Sequence, residues 1–135
     1  MKPIFNIGDK KQFIKTVTTH DLAAFENDAV HAVYSTFAVA RDAEWCCRLF
    51  ALEMKEDDEE GIGTSVIVNH LAPALLNSEI VFEAEITLLS GNSIQCHWIA
   101  KHHQRVIAEG SQGQKILKKM QLQSLFNKLK TETTY

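Results

Sequence analysis

The sequence predicts an α+β fold, an antiparallel sheet wrapped around one long central helix, on three observations. From about Phe37 to Met54, Ala40, Ala43, Cys47, Phe50 and Met54 recur at spacings of three and four, the repeat of one helix face. Residues 79–89 and 93–101 alternate apolar and polar positions, as half-buried strands do. Short turn signals, Ser90-Gly91-Asn92 and His103-Gln104, separate the later strands too closely for crossover connections.

Taken in order, residues 12–18 alternate well enough for an early strand, and residues 19–35 read as loop with short helical pieces. Ser35 or Thr36 is placed to cap the helix that follows. The first half of that helix is rich in small residues (Ala38, Ala40, Ala43, Cys47), which lets a helix lie close against a sheet. The acidic run from Glu56 to Glu60 ends it and reads as a solvated loop. Residues 64–72 form the next strand. In residues 79–89, Ile80, Phe82, Ala84, Ile86 and Leu88 share a face, and in residues 93–101 Ile94, Cys96, Trp98 and Ala100 do. Val106 to Leu117 is a last strand, with Gly110 and Gly113 as sites of bulge or close approach. A short helix, about Gln121 to Leu129, closes the chain. No repeat or linker interrupts residues 1–135, so a single domain is expected. One helix covering the apolar face of such a sheet is the hot-dog arrangement.

Composition narrows the function classes. Hydrophobic residues make up 45% and charged residues 23%, as in ordinary globular domains. A net charge of −3 argues against a nucleic-acid partner. The basic cluster of Lys115, Lys118, Lys119, Lys128 and Lys130 reads as the solvated face of a terminal helix. There is no run of about 18 apolar residues and no signal-peptide pattern, so no membrane partner is expected. Cys46, Cys47 and Cys96, an odd count without such a signal, fit reduced thiols in a cytoplasmic protein. No Cys-x-x-Cys or His-x-x-x-His spacing points to a metal. Cys47 falls on the apolar helical stripe and reads as a buried thiol, and Trp45 and Trp98 read as core or pocket wall.

Three residues carry possible chemistry: Thr36 at the helix start, Glu44 on the helix, and His70 inside an apolar strand. A hydroxyl, a carboxylate and an imidazole are the groups a hydrolase uses to position, activate and shuttle protons. Each also has a structural reading: Thr36 as N-cap, Glu44 paired to Arg48 at i,i+4, and His70 as a satisfied strand histidine. Residue types alone leave the two open.

The spacing of these residues resembles the fluoroacetyl-CoA thioesterases, hot-dog proteins in which a Thr lies eight positions before a Glu-Trp pair and a Gly-Thr-rich strand leads to His-x-Ala. Here Thr36 precedes Glu44-Trp45 by eight, and Gly63-Thr64 leads through Ser65-Val66-Ile67-Val68-Asn69 to His70-Leu71-Ala72. The interval of 26 positions from Glu44 to His70 is also the family's. Val81-Phe82-Glu83-Ala84-Glu85-Ile86 before Gly91, and Ile107-Ala108-Glu109-Gly110, look like its later strands, so the likeness spans roughly residues 30 to 117.

The resemblance implies a catalytic set of Thr36, Glu44 and His70, with Gly63, Thr64 and Asn69 contacting a small acyl-CoA substrate. CoA enters as part of that substrate, with no other cofactor and no metal. Glu44 would be nucleophile or activator of water. His70 would be general base and then proton donor to the thiolate, with backbone N–H groups near Thr36 or Gly63 stabilising the oxyanion. A homodimer is implied as well. Eight helical residues span about 12 Å. Thr36 therefore meets Glu44 only if it folds back from a loop before the helix, the arrangement expected here, or if the site is shared across a dimer.

Two departures stand out. Where the family often has Gly-x-His-x-Arg, this chain has Gly110-Ser111-Gln112-Gly113-Gln114, and a position often Gly is Asn77. Residues 20–34 also differ from the fluoroacetyl-specific members, so that specificity is not carried over. The readings are thus an acyl-CoA thioesterase for small or medium acyl groups, a non-catalytic hot-dog module binding an acyl thioester or related ligand, and, least supported, an enoyl-CoA hydratase. The last would want an Asp–His pair at the helix, which carries Asp42 but no His.

Overall fold

The computed structural model describes residues 1–25 and 28–132. Strand β1 (Lys10–Thr16) leads through a 3-10 turn (Thr19–Asp21) into a hairpin of β2 (Leu22–Phe25) and β3 (Asp28–Tyr34). Helix α1 (Thr36–Met54) follows, then four long strands, β4 (Glu59–His70), β5 (Glu79–Ser90), β6 (Ser93–His102) and β7 (Arg105–Lys118), and helix α2 (Lys119–Glu132). The main sheet is antiparallel in the order β1-β5-β6-β7-β4, with the hairpin separate. Helix α1 packs against all five of its strands, as the hot-dog reading requires.

The core lies between α1 and the sheet. The helix contributes Val39, Ala43, Cys47, Phe50 and Met54, and the sheet offers Phe82, Ala84 and Ile86 from β5 and Ile94, Cys96 and Trp98 from β6, all essentially inaccessible. The period-2 pattern of β5 and β6 thus points its apolar set at the helix stripe. Turn chemistry holds where expected: Gly91 has φ +59° in the β5–β6 turn and His103 φ +56° in the β6–β7 turn. Asn77 has φ +70°, so this position demands the left-handed region, which Asn tolerates better than most side chains.

Several expectations are corrected. Residues 19–35 hold one short helical piece, the 3-10 turn, but where loop was expected the described part forms a β-hairpin. Ser35 is the N-cap, its Oγ accepting from Ala38 N at 3.0 Å, and Thr36 is the first helical residue rather than part of a preceding loop. The acidic run is only partly a solvated loop, since Glu59 and Glu60 open β4. Glu59 is buried because its Oε1 meets the amino group of Met1 at 2.7 Å. Helix α2 runs longer than expected at both ends. Trp98 is core, but Trp45 lies on the exposed side of α1.

Candidate active site

Helix α1 and strand β4 build the site together. The first helical residue meets the last strand residue: Thr36 Oγ1 and His70 Nδ1 are 2.9 Å apart and share a hydrogen bond. The other ring nitrogen, His70 Nε2, is buried and has no hydrogen-bond partner among the described residues. Burial also holds the imidazole below its usual pKa, favouring the neutral ring.

Glu44 stands two turns along the helix, over Gly63. A Cβ at Gly63 would fall 1.9 Å from Glu44 Oε1, so only a residue without a side chain leaves the carboxylate its place. Arg48 does not take up the i,i+4 pairing: its Nη1 donates to the Gly61 carbonyl at 2.9 Å. Thr36 and Glu44 remain about 12 Å apart along the straight helix axis, so within one chain the site has two halves.

Both halves face α1, although Gly63 and His70 are seven positions apart, and an odd interval on a regular strand puts residues on opposite faces. A bulge resolves this. Gly63 pairs with Gln114 and Ser65 with the adjacent Gly113, leaving Thr64 unpaired in the ladder. Below the bulge, Gly61 and Gly63 look toward the helix; above it, His70 does. Asn69 consequently points to the other face, where its Nδ2 donates to Glu109 Oε1 at 3.0 Å and His97 joins the same carboxylate. Neither Asn69 nor Thr64 joins the Thr36–His70 pair.

Gln112 and Gln114 on β7 face the same interior and are 1% and 2% exposed. Gln114 Nε2 donates to the Cys47 carbonyl at 2.8 Å. Gln112 has no partner among the described residues for either amide atom, and its Nε2 lies 3.7 Å from the same Cβ position over Gly63. A buried unpaired amide costs about 1–3 kcal/mol, so its retention calls for a reason.

Space for a ligand adjoins the Thr36–His70 pair. A cavity of about 500 Å³ is lined by Thr36, Phe37 and Ala38 of α1 and by Leu22, Ala23 and Ala24 of β2, with Arg41 at its wall. A second, of about 210 Å³, is lined by Val33, His70, Leu71, Ala72 and Pro73. An ion network fixes the first cavity's frame. Arg41 binds Asp21 and Asp42, Lys15 reaches Asp21 at 3.1 Å, and the Tyr34 hydroxyl donates to Asp42. Burial alone would raise the Asp21 pKa, but hydrogen bonds from Arg41, Thr18 and Lys15 hold it far below the carboxylate range. This network was missed in the sequence, although Thr18-Thr19-His20-Asp21 spells the capping pattern that the structure forms. It also occupies Asp42, the helix aspartate that hydratase chemistry would call on.

The family model described as fluoroacetyl-CoA-specific thioesterase matches residues 17–120. Among solved structures, a hypothetical protein of Thermus thermophilus, described as a thioesterase superfamily member, is 32% identical. It aligns over 98% of this chain and 97% of its own with a TM-score of 0.91. A mutant of the fluoroacetyl-CoA thioesterase FlK, in complex with fluoroacetate and CoA, is 18% identical over 87% of this chain and 99% of that one, with a TM-score of 0.80. A hot-dog-like protein from Thermanaerovibrio acidaminovorans is 19% identical over 92% of both chains, with a TM-score of 0.85. Comparison with curated proteins finds no match.

Proposed function

The chain belongs to the fluoroacetyl-CoA-specific thioesterase family, and from that premise we propose that it hydrolyses an acyl-CoA with a small or medium acyl group to the free acid and CoA. The observation that carries this reading is the Thr36–His70 hydrogen bond, whose Thr36 lines a cavity of about 500 Å³, with the second imidazole nitrogen buried and without a partner among the described residues. If the Thr36 hydroxyl donates to Nδ1, the ring proton sits on Nε2, where it serves the thioester oxygen and then the departing thiolate. Glu44 takes the proton of the attacking water. The cavity's apolar lining suits an acyl chain, and fluoroacetyl specificity stays with FlK.

The two halves of the site lead to a homodimer. Strand β4 ends the sheet, and its free edge exposes Val66 (40%) and Ile67 (57%), whereas the opposite edge strand, β1, is studded with Lys10, Lys11 and Lys15. Two β4 strands paired antiparallel about Ile67, with Thr64 bulged out of the ladder, set Gly63 of one copy across from His70 of the other. Glu44 of one protomer then reaches the Thr36–His70 pair of the second.

A free-thiol release assay over short, medium, branched and aromatic acyl-CoAs tests the reading. Wild type is expected to turn over at least one, and His70→Ala to lose about 100-fold or more. A folded wild type that turns over none of them would sink it and leave a module that binds acyl thioesters without hydrolysing them.

A further inference from the structure

The Gln112 amide is 1% exposed, yet among the described residues neither its Nε2 nor its Oε1 has a hydrogen-bond partner. Its surroundings say what such a partner would be. Glu44 Oε1 lies 1.9 Å and Gln112 Nε2 3.7 Å from one point, the Cβ position above Gly63, so the two atoms are within about 5.6 Å of each other. They do not bond directly, and no separation up to that limit exceeds what a single oxygen making two ordinary hydrogen bonds can bridge. Gly63 and Gln112 sit on neighbouring strands, β4 and β7, and Gly63 has an exposed backbone, so this point is open to solvent on one side while the amide behind it is not.

We propose that Gln112 is a further residue of the hydrolytic site: with Glu44 it holds the water that attacks the thioester. The inference rests on the thioesterase reading and deepens it. The water donates one proton toward Glu44 and is held at its oxygen by the Gln112 amide. As its oxygen bonds to the carbonyl carbon, its O–H bond breaks and the proton passes to Glu44. The C–S bond then breaks, the electron pair leaves on sulfur, and the thiolate takes the proton held by Glu44 through solvent, while the neutral His70 ring keeps its own proton. A neutral amide does this without adding charge beside Glu44, which a His or Arg here would do.

The test is a double-mutant cycle with Gln112→Leu and Glu44→Gln, reading kcat, KM and melting temperature in each variant. Leu matches the volume and removes an unpaired buried amide, so Gln112→Leu is expected to melt at or above wild type while kcat falls at least 10-fold and KM stays within about twofold. In the Glu44→Gln background the same change is expected to cost less than twofold, because the water it orients is no longer activated. Gln112→Glu, which sets a second carboxylate near the first, is expected to move the acid limb of the pH–rate profile to higher pH. Three results overturn the proposal: Gln112→Leu with wild-type kcat, a loss of rate that tracks a lowered melting temperature, or fully additive losses in the cycle. A wild type without turnover on any acyl-CoA instead removes the thioesterase reading, and this inference with it.

Discussion

Gly63→Ala separates the carboxylate's position from the fold more cleanly than any other single change. The new methyl would stand 1.9 Å from Glu44 Oε1. Reaching ordinary van der Waals separation requires the oxygen to retreat by about 1.5 Å. What moves is the far end of a half-buried, flexible side chain, and Gly63 has no positive φ that alanine would resist. The stability change is therefore expected within about 1 kcal/mol. Catalysis has no such tolerance: a misplacement of about 1 Å costs roughly 100-fold, or about 2.7 kcal/mol of barrier. The expected outcome is a kcat near 1% of wild type in thiol release, with an almost unchanged thermal melt. A Gly63→Ala variant within threefold of the wild-type rate would show that Glu44 does not act from its place over Gly63.

The same substitution at Gly110 should do the reverse of sparing the fold, since its Cβ would lie 1.8 Å from the Ile67 carbonyl oxygen and 3.0 Å from the Trp98 ring, neither able to give way. Urea unfolding is expected to show a loss of about 3 kcal/mol or more, and a loss under about 1 kcal/mol would refute the close approach of β4 and β7. His70, half-buried and neutral, has a folded pKa below its unfolded value of 6.5. Its contribution to stability is thus complete above about pH 6.5 and is lost as pH falls through the folded value. An NMR titration placing the His70 midpoint below 6.5 checks this, and one above 6.5 contradicts it. Burial pushes the Cys46 thiol up to about 12, and the Cys96 thiol and burial together raise Cys47 further. Native protein is expected to react with a thiol reagent only as fast as it unfolds, and rapid labelling would count against the packed core.

Legibility in the sequence followed the strength of local pattern. β5 alternates cleanly from Glu79 to Ile86 and β6 from Ser93 to Ala100, and both turn at residues that fit positive φ, so these stretches read directly; past Ile86 a register shift leaves Leu88 38% exposed, off the buried face that the alternation assigned to it. The hairpin did not: Leu22-Ala23-Ala24-Phe25 has no period, and its pairing with β3 slips register twice, so no template fits it. Glu59 misread because its burial depends on an ion partner 58 positions away. The Thr36–His70 pairing was legible only through motif spacing, whereas the placement of Glu44 in a separate half depended on Thr36 being helical, which capping at Ser35 settles. Asn69 illustrates a missed parity: once His70 points at the helix, its neighbour cannot.

That parity reaches beyond this chain. The bulge at Thr64 acts as a one-residue phase shifter between the carboxylate's seat and the imidazole. Deleting the bulged residue would leave a smoother ladder with Gly63 and His70 six positions apart, an even interval that keeps both facing the helix. Removing two would leave an odd interval of five on a regular strand and swing His70, with the strand above it, to the outside of the sheet. Lengthening or shortening this segment therefore changes the site in discrete steps, and a sequence that preserves the Gly-to-His interval preserves a geometric phase as well as a distance.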